Sequence, residues 1–123
     1  MRNATIAFFA AVSLAMAQDA VSPGTYKGEW SGASANGEIH MTFRAGADPE
    51  VGFTLGGELV KCKVLSFNVD GGKFKMVYEF DAQGNLLQSA IDGTVKGKSI
   101  EGTYKTTAGD QAVDSGTWKV AAP

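Results

Sequence analysis

An all-β domain, an antiparallel up-and-down barrel of about eight strands, is the fold that this sequence predicts, and three observations predict it. Apolar residues recur at every second position through most of the chain after residue 24, the period of strands that bury one face. Glycine-bearing turn signals separate these runs at short intervals, notably Gly56-Gly57, Asp70-Gly71-Gly72 and Gly97-Lys98. A Gly-x-apolar unit recurs as Gly28-Glu29-Trp30, Gly93-Thr94-Val95, Gly102-Thr103-Tyr104 and Gly116-Thr117-Trp118. Residues two apart share a face, so each glycine lies beside its ring or branched neighbour in one layer. Such a glycine permits a sharp bend or a ring lying across the backbone.

The chain opens with a segment that reads as a leader. Arg2 supplies a positive start, Ala4 to Ala17 is a continuous small and apolar run, and Ala15-Met16-Ala17 has the form of an A-x-A cleavage site. Residues 1–17 are therefore expected to be a signal peptide, and residues 18–123 one secreted or periplasmic domain starting at Gln18. The apolar run is shorter than the roughly 20 residues that a spanning helix needs, so no membrane insertion is expected after cleavage. About 105 residues then remain, enough for one modest core.

Charge excludes one class of partner. The chain carries 11 Lys and Arg against 13 Asp and Glu, and loss of Arg2 with the leader leaves a net charge of about −3. The lysines alternate with acids and apolar residues rather than clustering, whereas binding a nucleic-acid backbone needs a concentrated basic surface. They read as the solvated outer face of strands. Cys62, the single cysteine, cannot form an internal disulfide; it is either buried among its apolar neighbours or a handle for dimerisation.

Each strand follows from its own alternation. Thr25 to Ser31 places Tyr26, Gly28 and Trp30 on one face; after the turn Gly32 to Gly37, the run Glu38 to Arg44 turns Ile39, Met41 and Phe43 inward and His40 outward. Ala45 to Glu50 contains the turn-forming Asp48-Pro49 pair, and Val51, Phe53 and Leu55 make the third inner set. Leu59 to Val69 changes parity, from Val60, Cys62 and Val64 to Leu65, Phe67 and Val69, which a β-bulge near Val64 or Leu65 reconciles. Lys73 to Phe80 turns Phe74, Met76, Tyr78 and Phe80 inward, and Leu86 to Val95 follows with Leu87, Ser89, Ile91, Gly93 and Val95. Ile100, Gly102 and Tyr104 form the next inner set, Thr106 to Gln111 reads as a loop, and Ala112 to Val120 closes with Gly116, Trp118 and Val120.

Sequential antiparallel strands with one apolar face either stack as a two-sheet sandwich or close on themselves, and closure removes both edges. The matched units around Trp30 and Trp118 place the first and last strands side by side. An N-terminal Gly-x-Trp strand, alternating hairpins and a closing Gly-x-Trp resemble the small secreted calycin-type barrels, the group of lipocalins, fatty-acid-binding proteins and avidins. Gly28 and Trp30 resemble the first-strand glycine and tryptophan of lipocalins and the start of avidins. The resemblance carries the architecture only, and it implies a small apolar ligand inside the barrel.

The inner face is accordingly either a packed core or the lining of a ligand site, for which Tyr26, Trp30, Phe43, Met76, Tyr78, Ser89, Tyr104 and Trp118 are the candidate residues. A second reading is a structural or protein-interaction domain with a filled interior and no small-molecule ligand, whose partner meets an outer face near Val77, Leu86 and Ala90. No catalytic constellation emerges: alternation puts Asp92, Glu79 and Glu101 outside, and no serine sits in a nucleophile elbow. His40 lacks companion ligands for zinc, and the aspartates do not form a calcium loop; no metal or other cofactor is expected. Secretion of the full chain should yield a mature product that begins at Gln18, which intact-mass measurement checks.

Overall fold

The computed structural model describes residues 20–123; the leader and the expected start at Gln18 lie outside them. Eight antiparallel strands follow in order: β1 (Gly24–Gly32), β2 (Asn36–Phe43), β3 (Glu50–Leu55), β4 (Glu58–Asp70), β5 (Lys73–Ala82), β6 (Asn85–Lys96), β7 (Ser99–Ala108) and β8 (Gln111–Ala121). Each pairs with the next, and β8 returns to β1, so the sheet is a closed barrel rather than a sandwich. At the closing seam Trp30 stands directly opposite Trp118. No helix among the described residues is long and apolar enough to cross a membrane.

Closure depends on inner glycines at close strand approaches. A Cβ on Gly28 would lie 1.7 Å from the Lys119 carbonyl oxygen; one on Gly102 would lie 1.8 Å from that of Asp92, and one on Gly116 2.0 Å from that of Ser31. Gly28 stands between Ile39 and Val120, and several other inner glycines stand beside rings of the neighbouring strand. Trp118 pairs with Gly102, Tyr104 with Gly116, Trp30 with Gly37 and Phe74 with Gly93. Trp118 is also tied down by its indole N–H, which donates to the Thr103 carbonyl at 3.0 Å.

Three hairpins turn with two successive positive-φ residues, the signature of a type I′ connection that matches strand twist: Gly56-Gly57, Gly71-Gly72 and Gln83-Gly84. Among the described residues Gln83, at φ 56°, is the one non-glycine residue in this region. Asp81 steadies that turn by accepting from the Gly84 N–H.

Two bulges break the regular register. In β4 the pairing with β5 shifts between Val64 and Ser66, so Leu65 is the extra residue. The expected bulge is present, but Leu65 does not join the inner set: it is 42% exposed, while Val64 and Phe67 stand opposite Tyr78 and Met76. In β8 the shift leaves Val113 unpaired between Asp114, opposite Thr106, and Ala112, opposite Thr107. The expected loop from Thr106 to Gln111 is instead mostly strand. β7 runs to Ala108 because Thr106 and Ala108 continue the inner parity of Tyr104, and Gly109-Asp110 alone makes the turn.

Gly102→Ala should destabilise the barrel by about 3 kcal/mol or more, since the new methyl would collide with the Asp92–Gly93 backbone of the neighbouring strand. Gln83→Gly should stabilise it by about 0.5–1 kcal/mol by relieving the left-handed turn. Urea denaturation of both variants against wild type checks the opposite signs.

Candidate functional site

The barrel interior divides into two unlike halves. At the end carrying the β2–β3, β4–β5 and β6–β7 connections, Tyr26, Phe43, Phe67 and Phe74 form a ring cluster with centroid separations of 5.3–6.2 Å. Val21 packs against this core, and the Tyr26 hydroxyl donates to the Ser22 carbonyl at 2.9 Å, so the approach to β1 caps this end. Met41 and Met76 fill the remaining space and are fully buried. Three candidates from the sequence, Tyr26, Phe43 and Met76, thus belong to the closed half.

The other end is open. A cavity of about 190 Å³ lies beneath the β1–β2 loop, lined by Trp30, Tyr78, Ser89, Tyr104 and Trp118, the remaining five candidates, together with Phe53 and other neighbours. Trp30 anchors the aromatic wall: its ring meets those of Phe53 and Tyr104 edge-on at 5.8 and 6.1 Å, and Phe80 packs edge-on against Phe53 at 4.8 Å. These T-shaped contacts are the favoured geometry for aromatic pairs. The Trp30 indole donates to the Thr54 carbonyl at 3.2 Å, which holds the ring against β3.

Polar groups enter this wall at two levels. Deep inside, the Ser89 and Thr106 hydroxyls are 2.6 Å apart and almost wholly buried, and the buried Tyr78 stands opposite Ser89 on the neighbouring strand. Nearer the opening, Asp114 joins three elements. Its Oδ2 accepts from the Tyr104 hydroxyl at 2.8 Å, and its Oδ1 accepts from the Ala33 and Ser34 N–H groups at 3.1 and 3.4 Å. Gly32 makes room for the contact, since a Cβ there would lie 2.0 Å from the Tyr104 oxygen. The carboxylate therefore fastens the β1–β2 loop over the cavity.

Thr106 and Asp114 did not stand out from the sequence. Thr106 had a usable signal, the unbroken parity of Ile100, Gly102 and Tyr104. Asp114 had none, because the Val113 bulge beside it sets its facing. The rim carries three exposed apolar side chains, Leu59, Leu86 and Val113, each close to a turn at the open end.

The outer face is less organised. Val77 pairs with Ala90, but Leu86 pairs with Asp81, and the polar Glu79–Gln88 pair stands between them, so these three residues do not form one patch. Asp92 and Glu101 face solvent, each 4.0 Å from a lysine ammonium, Lys75 and Lys96 respectively. His40 lies outside over Gly52. Among the described residues no three His, Cys, Asp or Glu side chains gather closely enough to hold a metal ion.

Comparison with known proteins finds no matching family model, no matching curated protein and no matching solved structure. The closed eight-stranded antiparallel barrel is consistent with a calycin-like architecture.

Burial shifts several acids in one direction. It pushes the Cys62 thiol up from 9.0 to about 12 and raises the Tyr78 phenol; Tyr104 is raised by burial first, then by its hydrogen bond to Asp114 and that group's charge. A half-buried thiol with so high a pKa is a poor nucleophile. Because these groups ionise more readily in the unfolded chain, their contribution is complete below the ordinary pKa and is lost as pH rises through the folded value. The urea midpoint should fall as pH climbs from about 9 to about 12, the window of Cys62. Cys62→Val should flatten the start of that fall, and a flat wild-type profile would contradict the assignment.

Proposed function

We propose that this protein is a secreted or periplasmic barrel that binds a small hydrophobic molecule in the cavity at its open end. One observation carries the reading: the interior is filled by side chains in one half and left open in the other, where aromatic walls surround a few placed hydroxyls. A mostly apolar concavity with a small number of convergent polar groups is the usual form of a small-molecule site. Its volume of about 190 Å³ exceeds that of an engineered 150 Å³ protein cavity that admits benzene. The site therefore suits a molecule of one-ring size rather than a long acyl chain. Secretion is supported by the leader-like run over residues 4–17. The packed closed half supports the other reading, an interaction domain with a filled interior, but the cavity weighs against it.

Both tryptophans of the chain line the cavity, so intrinsic fluorescence reports occupancy directly. Ethylbenzene should change it saturably, with a Kd of about 10 μM to 1 mM. Leu87→Trp, which fills the half-buried mouth position, should weaken binding at least about tenfold by calorimetry while the protein remains folded. The absence of saturable binding by folded wild type, for ethylbenzene and for one-ring compounds bearing polar groups, would overturn the proposal.

A further inference from the structure

The cavity contains a hydrogen-bonding imbalance that specifies more than apolarity. Tyr78, Ser89 and Thr106 all line it, and their exposures are 5%, 1% and 5%. Ser89 stands between the other two, opposite Tyr78 on one neighbouring strand and opposite Thr106 on the other, where the two hydroxyls are 2.6 Å apart. A hydroxyl brings one donor hydrogen and two acceptor lone pairs. Three hydroxyls in a row bring three hydrogens and can use at most two of them on one another, so at least one O–H is left over from the group. Buried donors without a partner are rare because each costs its full desolvation. This surplus donor sits in the wall of a cavity whose other surfaces are mostly ring and branched aliphatic carbon.

Charge narrows the partner further. Among the described residues no lysine, arginine or histidine lines the cavity, and its one carboxylate is Asp114, placed near the opening. That carboxylate already accepts from Tyr104, Ala33 and Ser34. An anionic headgroup entering here would meet no compensating cation and would pass a fixed negative charge, a costly arrangement in a low-dielectric site. A cationic ligand would be drawn to Asp114 at the mouth, but its charge would be stripped of water deeper in the apolar interior and would offer the leftover O–H no acceptor.

From these placements we infer that the ligand is an uncharged compound of one-ring size carrying a single hydrogen-bond acceptor, such as a ketone, aldehyde or ester oxygen. The oxygen accepts the surplus O–H of the Tyr78–Ser89–Thr106 chain, and the ring lies among Trp30, Phe53 and Trp118. The inference rests on the small-molecule reading given above, and it adds the chemical class. It distinguishes this barrel from a carrier of fatty-acid anions, whose carboxylate needs a cation that this cavity does not supply.

Four probes of matched size separate the alternatives: acetophenone, with a neutral acceptor; ethylbenzene, with none; benzoate, an anion; and 1-phenylethylamine, a cation at neutral pH. Binding is read by tryptophan fluorescence and calorimetry on wild type, on Ser89→Ala and on Thr106→Val, the last keeping the side-chain shape. Circular dichroism and urea unfolding verify that each variant is folded. Acetophenone should bind wild type about three- to tenfold more tightly than ethylbenzene, the worth of one net hydrogen bond. That advantage should shrink in a folded hydroxyl variant, with ethylbenzene affinity little changed. Equal binding of acetophenone and ethylbenzene, an acceptor preference unchanged in both variants, or tightest binding by benzoate or the amine would overturn this inference while leaving a small-molecule site in place. Failure of all four probes to bind folded wild type would overturn the small-molecule reading itself. If one variant does not fold, the wild-type ranking and the other variant decide.

Discussion

Strand backbones approach one another at Gly28, Gly102 and Gly116 so closely that a single methyl group would collide with a carbonyl. Most of what distinguishes this barrel depends on that constraint. Tight approach allows eight strands to close, and at Gly102 and Gly116 the surface released by the absent side chain faces a ring from the adjacent strand. Trp118 crosses Gly102 and Tyr104 crosses Gly116, so the same contacts that close the sheet also aim aromatic walls into the interior. Barrel closure and the shape of the cavity are consequences of one packing arrangement.

The two halves of the interior show how side-chain size decides between a core and a site. Eight strands enclose a space that large side chains can fill, and Tyr26, Met41, Phe43, Phe74 and Met76 do fill one half. In the other half Ser89 and Thr106 occupy inward positions with small side chains, opposite each other on neighbouring strands. Their low volume leaves room, and their hydroxyls make that room polar at one point. The Asp114 carboxylate then joins the β1–β2 loop to Tyr104 at the opening, giving a floor, an aromatic wall and a fastened rim.

Much of the fold was legible because alternation is a local property. A strand with one buried face must place apolar side chains at every second residue, and Ile39-Met41-Phe43 or Phe74-Met76-Tyr78-Phe80 admit few other readings. The seam between first and last strands was legible too, since the matched Gly-x-Trp units there put Trp30 directly opposite Trp118. Where the reading failed, a bulge or polar composition obscured the parity. Leu65 carried the right parity for the core but is the inserted residue of a bulge, and the polar run Thr106 to Gln111 resembled a loop although its backbone keeps pairing almost to the turn.

By itself the sequence determined which residues face inward on most strands, where the chain turns, and that the sheet has glycine-lined positions suited to closure. These properties follow from periods of two and from turn chemistry, both readable over a few residues. Only the tertiary structure decided which inward residues meet. Tyr26, Phe43 and Met76 carry the same local pattern as Trp30, Tyr78 and Trp118, yet the former pack solidly and the latter border a cavity. Strand stagger around a closed barrel sets the height of each side chain along its axis, and that height is a relation among all eight strands that no single stretch contains.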